Sequence, residues 1–461
     1  MTGSIQLPVW LFILILAFAG VTFASHFLFP SVRWFLRRRA EKVVARLNER
    51  LTRPIEPFKL LRRQDMIQRL VYDPQVIEAV AEHARENNVR EDVAFETANR
   101  YAREIVPSFS ATAYFGFAIK VARLLARAFY RVEAAPISAE VKQALASDAA
   151  VVFVINHRSN MDYVLVTYLA AERSALSFAA GEWARVWPLG ALVRAMGAYF
   201  VRRKSRNPLY RRVMARYVQM ATQGGVAQAI FPEGGLSLDG KVGMPKLGLL
   251  SYIVQDFDSE ASRDVIFVPV ALNYDRVMED RVLVKAAQNV KRRFRFRWRS
   301  AVRYFFRHAV QRLTGRFLKF GYAAVTYGEP LSLRAFKAEH DPDLITDLGR
   351  ELMSRIRSTV PITPIPVLAK LLKSASLPIA KDELVARLET QLNNLVETHS
   401  DMIALTEPTN IEAAYAVRHL MMRKMITETP QGIAVVPGND ALIDYYVNSI
   451  DSCLDAPAAK Q

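Results

Sequence analysis

The chain has 461 residues, of which 51% are hydrophobic, and a formal net charge of +17 at pH 7. That length allows two or three domains with a sizeable core, and the charge indicates an anionic partner such as lipid, nucleic acid or an acidic substrate. The single cysteine, Cys453, excludes a disulfide within the chain and a cysteine-rich zinc site. The seven histidines show no metal-ligand spacing, so we expect no metal and no other cofactor.

An uncharged, apolar stretch lies at the amino terminus. Residues 2–32 contain no Lys, Arg, Asp or Glu, and Leu7–Phe29 is long enough to cross a hydrocarbon core of roughly 30 Å. A cleaved signal peptide normally has a basic segment before its apolar run, and none is present here. Basic residues follow from Arg33, so the positive-inside rule predicts a single-pass membrane protein with the remaining chain on the cytoplasmic side. The predicted anchor is 1–32, and a peripheral helix is the alternative.

A basic linker and a helical region are predicted over 33–135. The segment from Arg53 to Pro57 is a break after a short basic helix, and 58–130 has apolar residues at three- and four-residue spacing. Phe109–Tyr130 is apolar in its first half and basic in its second. That pattern is typical of an amphipathic helix on a membrane, and equally of a domain helix with a basic face.

Strand-like segments alternate with helical patterns over 136–335. The alternation predicts an α/β domain whose mostly parallel or mixed sheet is covered by helices. In such domains, functional residues collect where strands end and helices begin. The predicted strands are Val151–Ile155, Leu176–Ala180, Ala198–Val201, Val226–Phe231, Val265–Leu272 and Ala323–Tyr327.

The first of these strand ends carries a histidine and an aspartate. Val151–Ile155 has the β-branched composition of a buried strand, and a helical pattern begins at Met161. His157 then lies on the turn and Asp162 in the first helical turn, where its carboxylate can hold one imidazole nitrogen. The other nitrogen can take a proton from an alcohol. A capped helix with a surface histidine is the alternative.

Three later strand ends also carry suggestive groups. Arg202 and Arg203 follow one strand, and paired arginines suit bidentate recognition of phosphate. Glu233 and Gly234 follow another, where glycine lets the backbone approach a ligand closely. The strand containing Val-Pro is followed by Asn-Tyr-Asp at 273–275. Individually, a solvated basic run or a plain turn explains such features, but all four strand ends fall in one predicted domain.

The four blocks resemble those of the glycerolipid acyltransferases, in the same order. They read NHRSNMD (156–162), GAYFVRR (197–203), FPEGG (231–235) and FVPVALNYD (267–275). Other features are similar to the glycerol-3-phosphate branch, among them Arg158-Ser159, Pro245-Lys246, NYDRVME (273–279) and YYVNSI (445–450). The resemblance is strongest over about 145–335. It implies a glycerol-3-phosphate 1-O-acyltransferase that uses acyl-CoA or acyl-carrier protein and makes lysophosphatidate for phospholipid synthesis.

The resemblance also implies roles for particular residues. His157 would be the general base that deprotonates the acceptor hydroxyl, and Asp162 would orient its imidazole. The substrate-binding residues that it indicates are Arg158, Arg202, Arg203, Glu233, Gly234 and Lys246.

One departure from the branch concerns the acceptor. Glu-Gly-Gly is usually followed there by Arg-Ser-Arg, whereas this chain has Leu236-Ser237-Leu238. Two cations are therefore missing where the family contacts phosphate, and Lys241 and Lys246 are candidates to replace them. Acylation of lysophosphatidate, or of another alcohol that bears a phosphate, remains the alternative.

A basic, aromatic segment and a helical tail complete the chain. Arg281–Gly328 holds thirteen Lys or Arg and no acidic residue. Cations interleaved with aromatics suit an anionic membrane surface, and also nucleic acid in a membrane-tethered binding protein. The predicted anchor and the four blocks favour the membrane, so no nucleic acid is expected; docking of acidic acyl-carrier protein and a solvated face are further alternatives. Residues 336–461 are predicted to be a helical accessory region.

Overall fold

The computed structural model describes residues 8–170, 175–181, 189–202, 205, 207–288, 319–340, 343–375 and 378–454. Contacts divide the chain into two compact units, Met1–Pro54 and Ile55–Gln461, which are described separately. The domain boundaries predicted at 33, 136 and 336 stay predictions. Most of the basic segment at 281–328 lies outside the described residues.

The first unit contains one long helix, α1 (Val9–Asn48). Apolar side chains on its first turns are largely exposed, including Trp10 and Phe18. Among the described residues, no helix is both long enough and apolar enough to cross a membrane. The anchor predicted over 1–32 is therefore not found, and part of the Leu7–Phe29 stretch lies outside the description. The apolar stretch instead continues into the basic sequence as a single helix.

An eight-stranded sheet forms the centre of the second unit. The strand order is β1-β7-β6-β2-β5-β3-β4, with β8 beside β6. β6 is antiparallel to β7 and β8, and the other pairs are parallel. The predicted α/β class with a mixed sheet is confirmed. The strands are β1 (Arg131–Ala134), β2 (Ala150–Ile155), β3 (Ser177–Gly181), β4 (Tyr199–Val201), β5 (Gln228–Ile230), β6 (Val265–Tyr274), β7 (Tyr322–Tyr327) and β8 (Leu331–Ser332).

Helices surround this sheet, and two of the longer ones begin with a polar cap before a proline. Asp73 accepts the Gln75 amide, and Asn207 accepts the Tyr210 amide, which satisfies donors that a helix start leaves free. The helices up to residue 288 are α2 (Pro57–Leu60), α3 (Arg63–Val71), α4 (Pro74–Glu86), α5 (Glu91–Ile105), α6 (Ile119–Phe129), α7 (Ala139–Ala146), α8 (Met161–Ala170), α9 (Leu189–Ala195), α10 (Pro208–Gln223), α11 (Gly248–Val254) and α12 (Asp280–Gln288). A π-helical segment, Thr112–Ala118, leads into α6.

The carboxyl-terminal region is mainly helical but is not helical throughout. A two-stranded antiparallel hairpin, β9 (Ile426–Thr429) with β10 (Gly432–Val435), interrupts it, and Gly432 has a positive φ of 126°. The sequence did not predict this hairpin, because both strands are only four residues long. The helices are α13 (Leu333–Glu339), α14 (Leu344–Ser358), α15 (Pro364–Ser374), α16 (Lys381–Thr398), α17 (Thr409–Met422) and α18 (Asp440–Leu454).

Candidate active site

His157 and Glu233 lie at one edge of the sheet, just beyond the carboxyl ends of β2 and β5. The two strands are parallel neighbours with Val154 opposite Ile230, so the chain leaves both at the same edge. All six residues of β2 are buried, which fixes the point at which the turn begins. The side chains of His157 and Asp162 are 3% and 0% exposed. These polar side chains are therefore held inside the protein and are not part of a solvated surface.

His157 and Asp162 form a hydrogen-bonded pair. Nδ1 of His157 lies 2.8 Å from Oδ2 of Asp162. The same oxygen accepts the backbone amides of Arg158 at 2.7 Å and Ser159 at 3.0 Å, so Asp162 also fixes the turn. A carboxylate only accepts hydrogen bonds, which places the imidazole proton on Nδ1. Nε2 then has the lone pair that a general base needs.

Two residues beyond the predicted set complete the environment of this pair. The hydroxyl of Tyr274, the last residue of β6, donates to Oδ1 of Asp162 at 2.5 Å. Glu279 accepts the Ser159 hydroxyl at 2.8 Å and the Asn160 side-chain amide at 2.9 Å. Burial raises the pKa of Glu279. Both residues belong to NYDRVME, whose resemblance to the family was the sequence signal for them.

Glu233 binds backbone on both sides of the site. Its Oε1 accepts the His157 amide at 2.8 Å and its Oε2 accepts the Gly243 amide at 3.0 Å. Burial raises the pKa of Glu233, although both amides favour its charged form. The acceptor-binding role predicted for Glu233 is thus accompanied by a structural one: its carboxylate holds the backbone of the histidine.

Gly234 and Lys246 lie together beside Glu233. Gly234 has a φ of +63°, and a Cβ atom there would be 2.8 Å from Cδ of Lys246. The Lys246 amide donates to the Pro232 carbonyl at 2.8 Å, which holds the lysine backbone against the turn. Glycine therefore leaves room for the exposed Lys246 side chain, and the structure gathers three predicted residues, Glu233, Gly234 and Lys246, near His157.

Arg158 differs from its prediction as a substrate contact. The residue is 1% exposed. Its guanidinium donates to three backbone carbonyls, those of Leu272, Gly240 and Ser449. The fork of donors thus joins β6, the loop after β5 and helix α18, and it supports the fold around the turn.

Arg202 lies at the end of β4, which is separated from β2 by β5 and β3. Three strand spacings correspond to about 14 Å. Its guanidinium makes a bidentate pair with Glu104, with N–O distances of 2.7 and 2.5 Å. The structure therefore does not bring Arg202 beside His157, and Arg203 lies outside the described residues. A cleft of about 670 Å³ next to Arg202 is lined by neither member of the His157–Asp162 pair.

An apolar cavity of about 200 Å³ opens beside the turn at 156–162. Asn160 and Tyr163 line it together with apolar side chains of α6, β3 and α9. The ring of Tyr163 also meets the imidazole of His157 edge to face, with centroids 5.5 Å apart. An apolar ligand in this cavity would therefore end close to the histidine. Within the described part of the chain, no group of three or more His, Cys, Asp or Glu is arranged to hold a metal ion.

Two family models match the chain in succession. Residues 137–273 match the acyltransferase family, and 310–459 match the glycerol-3-phosphate acyltransferase C-terminal region. The first range contains the His157–Asp162 pair and Glu233, and the second contains Ser449, which Arg158 contacts.

Curated relatives match over most of this chain. They include glycerol-3-phosphate acyltransferases of Xanthomonas campestris pv. campestris, at 24% identity over 90% of this chain and 48% of the relative, and of Ectopseudomonas mendocina, at 26% over 86% and 49%. The protein of Alteromonas mediterranea is 29% identical over 62% of this chain and 34% of its own length. The chain thus spans at most about half the length of these relatives. A crystal structure of the lysophosphatidate acyltransferase PlsC from Thermotoga maritima matches with a TM-score of 0.32, at 18% identity over 57% of this chain and 80% of that one.

Proposed function

We propose that this chain, which belongs to the acyltransferase family, is a glycerol-3-phosphate 1-O-acyltransferase. It transfers a fatty acyl group from acyl-CoA or acyl-carrier protein to the sn-1 hydroxyl of glycerol 3-phosphate, giving lysophosphatidate. The order of the two family matches and the names of the curated relatives support this choice of substrates.

The observation that carries the proposal is the contact of 2.8 Å between His157 Nδ1 and Asp162 Oδ2. It fixes the imidazole tautomer in which Nε2 accepts a proton. Glu233 holds the histidine backbone at the same time, so the base has little freedom to turn away. A buried base with a fixed tautomer suits removal of a proton from an alcohol.

The proposed reaction uses the His157–Asp162 pair and the two substrates. Nε2 of His157 takes the proton of the sn-1 hydroxyl while the oxygen attacks the thioester carbonyl carbon. Asp162 stabilises the imidazolium that results. When the tetrahedral intermediate collapses, the C–S bond breaks and the thiolate takes the proton from the imidazolium. No resident metal or other cofactor enters this scheme.

Substrate positions follow from the surroundings of the pair. We assign the acceptor phosphate to the side of Lys246, whose exposed ammonium is beside Gly234 and Glu233. Leu236 and Leu238 stand where the family has arginines. Of the other predicted cations, Arg158 is bound to backbone carbonyls and Arg202 to Glu104, so we choose Lys246. The acyl chain is assigned to the apolar cavity beside Asn160 and Tyr163.

Work at an anionic membrane surface is part of the proposal. Helix α6 carries Lys120 and Arg123 beside Leu124, which is 66% exposed, and Phe117 just before it is 55% exposed. This combination suits insertion of apolar groups between anionic lipid head groups. The same helix lines the apolar cavity, so an acyl chain would have a short path from the bilayer. We place the catalytic domain on the cytoplasmic side, as the basic flank of the amino-terminal stretch predicts.

Assay of the purified full chain with both donors and a panel of acceptors tests the assignment. We expect acylation of glycerol 3-phosphate, and a loss of about 10²–10⁴-fold in His157→Ala because the base is removed. His399→Ala, at the end of α16, is the matched control and keeps full activity. A folded His157→Ala protein with wild-type turnover contradicts the mechanism, and activity on lysophosphatidate alone overturns the acceptor.

A further inference from the structure

We propose that Tyr274 is a positioning residue of this reaction. Its hydroxyl holds the second oxygen of Asp162 and thereby sets how strongly that carboxylate supports protonated His157. The expected effect on the kinetics rests on the proposed function. The interaction between Tyr274 and Asp162 rests on the geometry alone.

The position of Tyr274 follows from the sheet. β6 pairs in parallel with β2 over Ala150–Ile155, so the end of β6 lies alongside the turn that carries His157. Tyr274 is 1% exposed, and its ring packs against that of Tyr130 with centroids 5.3 Å apart. This packing aims the hydroxyl at Oδ1 of Asp162, at 2.5 Å.

The two oxygens of Asp162 therefore serve different partners. Oδ2 accepts from the imidazole and from two backbone amides, while Oδ1 accepts from Tyr274. Burial, together with the nearby carboxylate, raises the pKa of Tyr274 well above its ordinary value, so the phenol stays protonated and remains a donor. Each donor on a carboxylate withdraws some of its negative charge. Tyr274 thus fixes Asp162 and also reduces the charge that Asp162 presents to the imidazolium.

Other charged groups surround the pair but bind elsewhere. The Glu233 carboxylate meets the His157 amide, and Glu279 meets Ser159 and Asn160. The Arg158 guanidinium is directed at backbone carbonyls. The electrostatic effect of these groups on His157 should therefore stay the same when the hydroxyl of Tyr274 is removed.

Tyr274→Phe removes the hydroxyl and keeps the ring. We expect kcat/KM on its pH plateau to fall about three- to tenfold, because Asp162 is held at one oxygen only. We also expect the acidic limb of the profile to move to higher pH by about half a unit, since Asp162 then supports the imidazolium more strongly. The matched control is Tyr130→Phe, which removes a neighbouring hydroxyl that donates to the Arg276 carbonyl at 2.7 Å. In Tyr130→Phe the acidic limb of the pH profile should stay at its wild-type pH.

Replacing Tyr274 with a fluorinated tyrosine covers the case in which Tyr274→Phe folds poorly. The ring is kept and the more acidic hydroxyl is a stronger donor, so the acidic limb should move to lower pH. The inference is overturned if the acidic limb of the kcat/KM profile keeps its wild-type pH in both Tyr274 variants. It is also overturned if that limb shifts equally in Tyr274→Phe and Tyr130→Phe.

A readout without substrate separates this inference from the proposed function. Histidine labelled with ¹³C gives an NMR signal for His157, assigned by its absence from His157→Ala. We expect the pH at which this signal changes to be higher in Tyr274→Phe than in the wild type. In Tyr130→Phe that pH should be unchanged. If the chain has no acyltransferase activity but the signal still moves in Tyr274→Phe, the proposed function is refuted. The interaction of Tyr274 with Asp162 and its effect on His157 are then still supported.

Discussion

Two predicted sites at the same edge of one sheet differ in how their charged groups are used. At the turn 156–162, backbone amides, a tyrosine and a second carboxylate hold the His157–Asp162 pair in a single arrangement. At the end of β4, Arg202 is partnered by Glu104 from α5. At the first site these groups together fix the orientation of one imidazole. The second has its charge satisfied by the protein itself.

The difference follows from position in the sheet. β2 is central and wholly buried, so a polar group at its end must be partnered inside the protein or carry a large desolvation cost. β4 is an edge strand, and a helix can supply a carboxylate to its arginine. Two sequence blocks with similar charged residues therefore support different conclusions, and three experiments test this difference.

The largest effect is expected for Arg158→Met. The change removes the donors that Arg158 supplies to three backbone carbonyls, of which that of Leu272 still accepts the Asn156 side-chain amide at 3.0 Å. We expect a loss of about 3 kcal/mol in the free energy of unfolding. Arg357→Met is the matched control, because its half-buried guanidinium donates to the carbonyls of Val242 and Gly243. It should lose about 1 kcal/mol or less. Urea denaturation measures the free energy of unfolding of both variants. Equal losses would show that the buried Arg158 guanidinium stabilises the fold no more than the half-buried Arg357 does.

A second test uses the pH dependence of stability. Burial raises the pKa of Asp275, next to Tyr274, to about 7. Between its ordinary pKa near 4 and pH 7, the folded protein keeps a proton that the unfolded chain releases, so stability falls as pH rises. The slope should approach roughly 1.4 kcal/mol per pH unit. In Asp275→Asn that slope should flatten, whereas exposed Asp401→Asn should retain it, as measured by urea denaturation at several pH values. An unchanged slope in Asp275→Asn contradicts the assignment.

The smallest effect is expected at β4. Because Glu104 occupies its guanidinium, Arg202→Gln should raise the KM for glycerol 3-phosphate by about threefold or less. Lys246→Gln, which removes the exposed ammonium beside Gly234, should raise it by about tenfold. Steady-state kinetics on both variants rank the two cations. A larger effect at Arg202 would mean that it leaves Glu104 when the acceptor binds, and would restore its predicted role.

Local patterns in the sequence were enough for the core of the sheet and for the turn at 156–162. The apolar, mainly β-branched run at 151–155 predicted β2. The placement of His157 on the turn and of Asp162 in the first helical turn predicted that the carboxylate reaches back to the imidazole. β1 was not predicted, because its four residues, Arg131–Ala134, are half-buried or exposed and include two charges. Short strands with mixed polarity lack the periodicity on which such predictions depend.

The remaining partners depend on contacts between distant parts of the chain. Glu104 precedes Arg202 by 98 positions, and Tyr274 follows Asp162 by 112. No local pattern indicates that such residues will meet, since their meeting depends on the order and register of the strands. The sequence therefore identified Arg158, Arg202 and Glu233 as noteworthy, while only the fold shows that each has a partner within the protein.

The contact between Arg158 and the Ser449 carbonyl has a consequence for the newborn protein. The two residues are 291 positions apart. During synthesis on the ribosome, the segment that carries His157 emerges long before the helix that supplies this carbonyl. The turn is therefore expected to reach its final shape only after that helix has left the ribosome. A nascent chain without that helix would lack this contact, however early its first strands begin to fold.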